Sequence, residues 1–245
     1  MNIQILSDAH AEFHRDGGTS FVESLDPEGV DVLVVAGDVG LVKYGTTQTF
    51  LRMLCKRYPH VVFVLGNHEY YGGTIAGTLN GMAALNEEIP NLHWLENDTV
   101  TIEGQRFLGT TLWFPQASDG LNSIYAGRLN DFHKIGGGFA QWVYEANHKA
   151  MDYLKENVQE GDVVVTHHIP TQEGVLPKWR TSPLNRFFLC QMPQHILGTP
   201  KLWAFGHTHD SMSFTLGDCR FVCNPFGYVG VEQNPSYQEK LVVTV

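Results

Sequence analysis

Five short apolar segments of the chain are each followed directly by side chains that can bind a metal ion or move a proton. In chain order these side chains are Asp8, His10, Asp38, Asn67, His68, Glu69, His167, His168, His207 and His209. Glycine stands beside most of them, and because glycine lacks a Cβ it lets the backbone turn sharply where a segment ends. Imidazole and carboxylate groups without cysteine are typical of sites for Mn, Fe, Zn or Co.

The number of candidate ligands indicates two bound ions rather than one. A single ion takes about four to six ligands, and the chain offers more side chains than that. In two-metal hydrolases such a set holds two ions about 3.5–4 Å apart, and the ions lower the pKa of a water molecule. The side chains therefore predict a dinuclear centre with a bridging carboxylate, suited to hydrolysis.

The apolar segments that precede these side chains are short and rich in β-branched residues, which predicts buried strands. They cover residues 3–6, 30–36, 61–65, 163–166 and 202–205. The carboxyl ends of strands in an open α/β sheet form one edge, where ligand sites gather. We therefore expect the separate groups of side chains to meet in one place.

Further patterns complete the predicted fold. Strands are predicted over residues 99–102, 106–112, 221–223 and 241–245, the first two as a hairpin, and helices over residues 46–57, 78–88 and 139–158. Strand and helix alternate early and strands dominate later. This order predicts an α/β fold with a mixed sheet, or two packed sheets, and helices outside. The sequence has no repeat, low-complexity tract or linker, so we expect one domain over residues 1–245.

Composition limits the classes of function. The 245 residues are 43% hydrophobic and 17% charged, which supplies a sizeable core and excludes wholesale disorder. The net charge of -10 argues against nonspecific binding to nucleic acid or to an anionic membrane, because both need basic surface. A small anionic substrate is still compatible with this charge, because bound metal ions would reverse the local field.

The cysteines and the N-terminal residues bear on the compartment. The four cysteines form no C-x-x-C pair and are predicted to be reduced, mostly buried thiols. The N-terminus has no basic segment before its apolar run, and no stretch approaches the ~20 apolar residues that a membrane span needs. We expect a soluble, cytoplasmic protein.

Taken together, the motifs resemble those of the calcineurin-like metallophosphoesterase superfamily. They read D-x-H from Asp8, G-D at Asp38, G-N-H-E from Asn67, a histidine after the fourth strand, and G-H-x-H from His207. Each motif alone is weak, but their order across residues 8–209 is highly specific. The resemblance implies two packed mixed β-sheets flanked by helices, an αββα sandwich.

The resemblance also implies how two divalent ions would be held. Asp38 would bridge them. The other ligands would be Asp8, His10 and His209 for the first ion, and Asn67, His167 and His207 for the second.

Beside the ligands, His68 would be the catalytic histidine. While a metal-bridging hydroxide attacks a small phosphodiester or phosphomonoester, His68 would assist the leaving group. Glu69 would support the ligands from behind. His167 is preferred as ligand over its neighbour His168 because it directly follows the strand, so His168 is interpreted as a support for the ligands or a substrate contact. Ligating histidines must be neutral, so activity is expected to fall in acid.

Two long segments without a clear pattern, residues 113–138 and 171–195, are predicted as loops that serve function or are mobile. Candidate substrate contacts within them are Asn130, His133, Lys178 and Arg180. The three cations of the second loop, Lys178, Arg180 and Arg186, could clamp a phosphate or a base together with Trp179. The alternative is an ordinary solvated loop.

Other functions of the same centre stay open from sequence. A nuclease is disfavoured by the net charge of -10 and the absence of a basic stripe. Serine/threonine protein phosphatases usually carry phosphate-binding arginines after G-D and before G-N-H-E, where this chain has Gly40-Leu41 and Leu65. A catalytically silent scaffold is disfavoured because His68 and every implied ligand are present. Substrate identity, monoester or diester preference, metal identity and oligomeric state are not determined by the sequence.

Overall fold

Two β-sheets packed face to face form the centre of the fold, and helices cover their outer faces. The computed structural model describes all 245 residues. The strands are β1 (Asn2–Leu6), β2 (Val32–Ala36), β3 (His60–Val64), β4 (Leu92–Trp94), β5 (Asp98–Ile102), β6 (Gln105–Thr110), β7 (Val163–Thr166), β8 (Leu202–Phe205), β9 (Met212–Leu216), β10 (Cys219–Cys223), β11 (Gly227–Tyr228), β12 (Glu232–Gln233) and β13 (Val242–Thr244).

The helices differ widely in length. They are α1 (Thr19–Ser24), α2 (Thr46–Cys55), α3 (Ile75–Glu88), α4 (Asn122–Tyr125), α5 (Asp131–Lys134), α6 (Phe139–Asn157) and α7 (Gln194–Leu197). None of them combines the length and the apolar character that crossing a bilayer requires.

Strand order brings the carboxyl ends of many strands to one edge. The first sheet has the order β13-β1-β2-β3-β4, in which β1 to β4 are parallel and β13 is antiparallel. The second has the order β5-β6-β7-β8-β10-β9, with β6, β7, β8 and β10 parallel. A parallel bridge between Ser7 and Pro225, which follow β1 and β10, joins the two sheets at this edge.

The alternation of side chains along β2 explains the three-layered core. Val32 and Val34 point between the sheets, whereas Leu33 and Val35 point toward the helices on the outer face, and all four are fully buried. A strand that is covered on both faces must be apolar throughout, which is why it reads as a continuous run in the sequence.

Several elements were not expected from the sequence. The short strand β4 contains His93 between two apolar residues and lacks an apolar run, and β9 is half exposed. Helix α3 begins before the predicted position because Thr74 caps it, its Oγ1 accepting a hydrogen bond from the Gly77 N–H at 3.1 Å. The predicted loop over residues 113–138 contains the short helices α4 and α5.

Candidate metal centre

The predicted metal ligands converge where the parallel strands of both sheets end. Asp8, Asp38 and Asn67 follow β1, β2 and β3 of the first sheet. His167 and His207 follow β7 and β8 of the second sheet. The structure therefore brings together side chains from both sheets at the edge that strand order indicates.

One group of ligand atoms consists of Asp8, His10 and His209, whose ligand atoms all lie within 4.8 Å of one another. Nε2 of His10 lies 3.0 Å from Nε2 of His209. Nε2 of His209 lies 3.5 Å from Oδ1 of Asp8. These are the three side chains that the resemblance implies for the first ion.

A second group consists of Asp38, His167 and His207, again within 4.8 Å. Nε2 of His167 lies 3.1 Å from Nδ1 of His207 and 3.1 Å from Oδ1 of Asn67. Oδ2 of Asp38 lies 3.5 Å from Nε2 of His167 and 3.8 Å from Nε2 of His10. Asp38 therefore stands between the two groups, which is the position that a bridging ligand requires.

The donor set fits divalent cations. Asp8 and Asp38 are buried, and their only ion-pair partners are histidines, so no lysine or arginine balances their charge. Buried charges in proteins are normally paired or bound to a metal. Carboxylate, imidazole and carboxamide donors are also the ligands that first-row divalent ions accept.

Two glycines leave the space that the ligands occupy. A Cβ on Gly66 would overlap Oδ1 of Asp38 and would lie 2.7 Å from Cε1 of His167. A Cβ on Gly37 would overlap the ring of His167, and Gly37 also has a positive φ of 87°. These glycines therefore permit close approach of the ligands as well as a sharp turn.

Backbone strain is concentrated at this centre. Five of the eight non-glycine residues with positive φ are predicted ligands: Asp8 (52°), His10 (47°), Asp38 (56°), His207 (70°) and His209 (51°). A side chain in this region of conformational space carries an energetic penalty of about 1–3 kcal/mol, and such residues cluster at functional sites. The surrounding fold therefore stabilises a geometry that these residues would not adopt alone.

Burial keeps most of the ligand imidazoles neutral. It lowers the pKa of His10 to about 3 and that of His167 to about 4. It also lowers the pKa of His207 well below the usual range. His209 differs, because the hydrogen bond and the charge of Asp8 outweigh burial and raise the pKa of His209. Three of the four ligand histidines are therefore neutral well into the acid range.

The pKa values of the two aspartates of the centre are shifted in opposite directions. Burial raises the pKa of Asp38 well above its usual range, and the charges of Glu69 and Asp8 add to this effect. Burial acts in the same direction on Asp8, but the hydrogen bond and charge of His209 outweigh it and lower the pKa of Asp8. The ionised form of Asp38 is therefore unfavourable in the protein alone, and two nearby cations would stabilise it.

Glu69 ties the turn after β2 to the turn after β3. Its carboxylate accepts hydrogen bonds from the N–H groups of Gly66 (2.6 Å), Asp38 (3.0 Å), Val39 (2.7 Å) and Gly40 (3.2 Å). Burial raises the pKa of Glu69 to about 7. Glu69 therefore fixes the backbone that carries the ligands.

His168 lies behind the ligands. Its Nδ1 is 3.2 Å from the carbonyl oxygen of Thr111, and its ring packs against the rings of Trp113 and His207 at 4.9 and 4.4 Å between centroids. His168 is fully buried, and its Nε2 has no hydrogen-bond partner. His168 packs behind the ring of His207 and belongs to neither group of candidate ligand atoms.

Two residues that no sequence motif marked contact His68. Oε1 of Glu12 lies 2.7 Å from Nδ1 of His68, and the hydroxyl of Tyr228 lies 3.1 Å from its Nε2. A sequence signal for Glu12 exists, since it stands two residues after His10 on the same turn. Tyr228 lies on the hairpin of β11 and β12, after the last motif, and no local pattern marks it.

A second unexpected contact orients Asn67. Its Nδ2 donates hydrogen bonds to Oδ1 of Asp131 and to the hydroxyl of Tyr71, both at 2.9 Å. The Tyr71 hydroxyl donates in turn to the same Asp131 oxygen at 2.5 Å. These contacts fix the amide so that Oδ1 of Asn67 faces His167. Asp131 directly follows Asn130, one of the predicted substrate contacts.

A cavity of about 370 Å³ opens from the metal centre, lined by parts of both long predicted loops. Asn130 lines this cavity. His133 instead lines a second cavity of about 420 Å³ that also touches His68, and its Nε2 lies 3.1 Å from the carbonyl oxygen of Gly127.

The predicted cationic clamp lies outside the cavity lining. Nζ of Lys178 forms an ion pair with Asp210 at 3.0 Å. Nε of Arg180 donates to the carbonyl oxygen of Val175 at 3.3 Å. Neither side chain is among those that line the cavity of the metal centre.

The chain is similar in sequence to known proteins along most of its length. A family model described as calcineurin-like phosphoesterase matches residues 1–211 of the chain. The uncharacterized protein L509 of Acanthamoeba polyphaga mimivirus is 24% identical over 256 residues, which cover 92% of this chain and 91% of that protein.

Solved structures share the fold. A phosphopantetheinyl hydrolase from Mycobacterium tuberculosis has a TM-score of 0.74 and 17% identity, with 93% of this chain and 89% of that chain covered. A dimetal phosphatase from Danio rerio has a TM-score of 0.51 and 13% identity, with 94% and 88% covered. At these identities the likeness shows the fold, and it confirms the expected pair of mixed sheets flanked by helices.

Proposed function

The chain belongs to the calcineurin-like phosphoesterase family, and we propose that it hydrolyses a small phosphodiester or phosphomonoester with two divalent ions. The single observation that supports this most is the position of Asp38 between two groups of ligand atoms. Mn, Fe, Zn and Co all suit the donor set. The partner that we propose is a small phosphoester substrate. We propose no binding to nucleic acid or to a membrane.

The ions would be held by the residues already described. Asp8, His10 and His209 would bind one ion. Asn67, His167 and His207 would bind the second ion, and Asp38 would bind both. When bound, the two ions would supply a water ionised near neutral pH and would neutralise charge on the phosphoryl oxygens.

His68 is the proposed proton donor to the leaving oxygen. Its Nδ1 is held by the carboxylate of Glu12, which stabilises a protonated ring and directs Nε2 away from Glu12. As the bond between phosphorus and the leaving oxygen breaks, Nε2 gives its proton to that oxygen, and a neutral alcohol departs. Tyr228 lies beside the same nitrogen and lines the cavity, so its hydroxyl is placed to contact the phosphoryl group.

The test is metal removal and restoration. Protein stripped of metal and then given Mn is expected to recover hydrolysis of bis-(4-nitrophenyl) phosphate or 4-nitrophenyl phosphate. His68→Ala should reduce kcat by on the order of 100- to 10,000-fold while the protein still binds two ions. His148→Ala, at an exposed histidine on α6, is the matched control and should keep full activity. Full activity of His68→Ala, or full activity without metal, would contradict the proposal.

A panel of possible substrates would compare the two aryl phosphates with cyclic nucleotides and with one further compound. The similar structure from Mycobacterium tuberculosis is named as a phosphopantetheinyl hydrolase, so a phosphopantetheinyl ester belongs beside the aryl phosphates and cyclic nucleotides. The uncharged polar side chains of Asn130, Ser182 and Asn185 on the cavity wall would suit the amide groups of such an arm. Turnover of this ester above that of the cyclic nucleotides would support it as a substrate.

The alternatives are less well supported. A nuclease needs a basic track, and the chain has a net charge of -10. A silent scaffold would have no need to hold His68 between Glu12 and Tyr228 within reach of the ligands. A protein phosphatase would lack the arginines that usually bind phosphate in that class, since Leu41 and Leu65 stand at those places.

A further inference from the structure

One wall of the cavity, formed by the segment from 169 to 188, is mainly apolar. Six of its eight lining residues are apolar, among them Ile169, Val175, Leu176, Leu184 and Phe188. The volume of about 370 Å³ is in the range of sites for small organic molecules. Because Asp38 and Asn67 line the same cavity, a phosphate at the metal centre would carry its organic group directly along this wall.

The cavity offers almost no positive charge for a second anionic group. Arg128 is the one lysine or arginine on its wall, and that side chain is exposed and lies 5.6 Å from the ring centroid of Tyr125. Glu232, at 66% exposure, adds a negative charge to the lining.

The neighbouring cations are held elsewhere. Lys178 pairs with Asp210, and Arg186 pairs with Asp119, each at 3.0 Å. A second phosphate in the cavity would therefore lose water without gaining a strong cationic partner, which is unfavourable.

From this wall and this charge distribution we infer that the substrate is a phosphoester of an uncharged, largely apolar alcohol. The inference rests on the proposed function and names its substrate class. The apolar part of the alcohol lies against the segment from 169 to 188, and any hydroxyl or amide groups meet Ser182, Asn185 and Thr208. Nucleoside triphosphates, bisphosphates and other polyanions are excluded by charge.

Equilibrium binding tests this inference without catalysis. A series of n-alkylphosphonates from methyl to octyl is titrated into Mn-loaded protein by calorimetry. Each added methylene that is buried should lower Kd by about fourfold until the wall is covered. A terminal carboxylate or a second phosphonate on the same alkyl chain should raise Kd again. Turnover should follow the same trend, with kcat/KM rising as the alkyl chain of an alkyl 4-nitrophenyl phosphate is lengthened.

A charge on the wall should invert this preference. Leu176→Lys introduces a cation at a partly buried position of the lining, and it should abolish the gain per methylene and favour the chains with a terminal carboxylate. Ile124→Lys, at a residue of α4 that is 68% exposed and outside the lining, is the matched control and should behave as the wild type. Trp179→Ala, at a lining residue that is 48% exposed, tests the wall with little risk to folding, and it should weaken the longer chains most.

The two proposals fail in different ways. The inference would be overturned if Kd did not change along the phosphonate series, or if the bisphosphonates bound more tightly. Hydrolysis of an aryl phosphate would in that case leave the proposed function intact. Failure to hydrolyse any phosphoester after metal restoration would overturn the proposed function itself.

Discussion

The carboxylate of Glu12 lies 2.7 Å from Nδ1 of His68 and 3.4 Å from Nδ1 of His10. It therefore contacts both the proposed proton donor and a proposed metal ligand. Burial alone would raise the pKa of Glu12, but its hydrogen bonds with these two histidines lower it to about 2. Glu12 is therefore ionised at any pH near neutrality, and it favours the orientation in which Nε2 of His68 faces Tyr228.

Replacing this carboxylate should weaken catalysis without removing the ions. Glu12→Gln keeps the size of the side chain but loses the charge that stabilises a protonated His68, so we expect kcat to fall by on the order of 10- to 100-fold with KM little changed. The alkaline limb of the kcat profile, where a proton donor would be lost, should also move, because the carboxylate no longer acts on that donor. The measurements are a pH profile and the metal content.

The exposed Glu145 on α6 provides the control, since Glu145→Gln changes the same chemical group far from the centre. A variant Glu12→Gln with an unchanged kcat and pH profile would rule out the positioning role. A loss of both ions in that variant would show that Glu12 acts mainly through His10.

The buried pair of Asp131 and Tyr71 should affect the affinity for only one of the two proposed ions, the one assigned to Asn67. Asp131 and Tyr71 both accept hydrogen bonds from Nδ2 of Asn67. Asp131→Asn removes the charged acceptor, so the amide of Asn67 loses its fixed orientation. We expect the affinity for the ion bound by Asn67 to fall by on the order of 10- to 100-fold, while the ion bound by Asp8 stays.

Stepwise metal titration by calorimetry measures this effect. Tyr71→Phe keeps the Asp131 carboxylate and should cause a smaller loss. Equal weakening of both binding steps in Asp131→Asn would contradict the assignment of Asp131 to Asn67 alone.

Sequence patterns predicted the convergence of these side chains because each of them follows an apolar strand. A parallel strand that is buried on both faces must be a continuous apolar run, and its end marks the edge where ligands gather. This local rule applies to Asp8, Asp38, Asn67, His167 and His207.

The residues around His68 could not be predicted in the same way. Tyr228 meets His68 across 160 residues of sequence, and Asp131 meets Asn67 across 64. Both stand in short, irregular elements whose positions depend on tertiary packing rather than on a local pattern. The cations of the long loop illustrate the same limit, since nothing local to Lys178 indicates that Asp210 would pair with it.

The carboxylate of Asp38, the proposed bridging ligand, should destabilise the protein when metal is absent. Burial raises the pKa of Asp38 above its unfolded value, so the folded state binds the proton more tightly than the unfolded chain does. This contribution to stability is present in acid, below the unfolded pKa of Asp38, and it is lost as the pH rises toward the folded pKa.

Asp38→Asn should therefore raise the Tm of the metal-free protein at pH 7, although it loses metal and activity. The gain should shrink as the pH falls to 4 and vanish below the unfolded pKa, where the aspartic acid is neutral in both the folded and the unfolded state. Thermal unfolding of metal-free wild type and variant at several pH values measures this difference. Asp218→Asn, at an exposed carboxylate on the turn between β9 and β10, should show no such dependence. A constant difference between wild type and Asp38→Asn from pH 4 to 7 would contradict the argument.

The space beside Gly66 is expected to be essential to the bridging carboxylate. A Cβ at Gly66 would overlap Oδ1 of Asp38 and approach His167, so Gly66→Ala must displace one of these side chains. The overlap should destabilise the fold by about 1–3 kcal/mol, as overpacking of a dense interior does. Because Asp38 contacts both groups of ligands, the variant should also lose affinity for both ions at once.

Gly127→Ala is the matched control, because a Cβ at Gly127 would meet nothing within 4 Å. Metal content and Tm of the two variants, compared with wild type, separate steric exclusion from a general effect of replacing glycine. If Gly66→Ala bound two ions with full affinity, Asp38 would have to bind metal in a position other than the one observed, and the bridging role would need to be assigned to another residue.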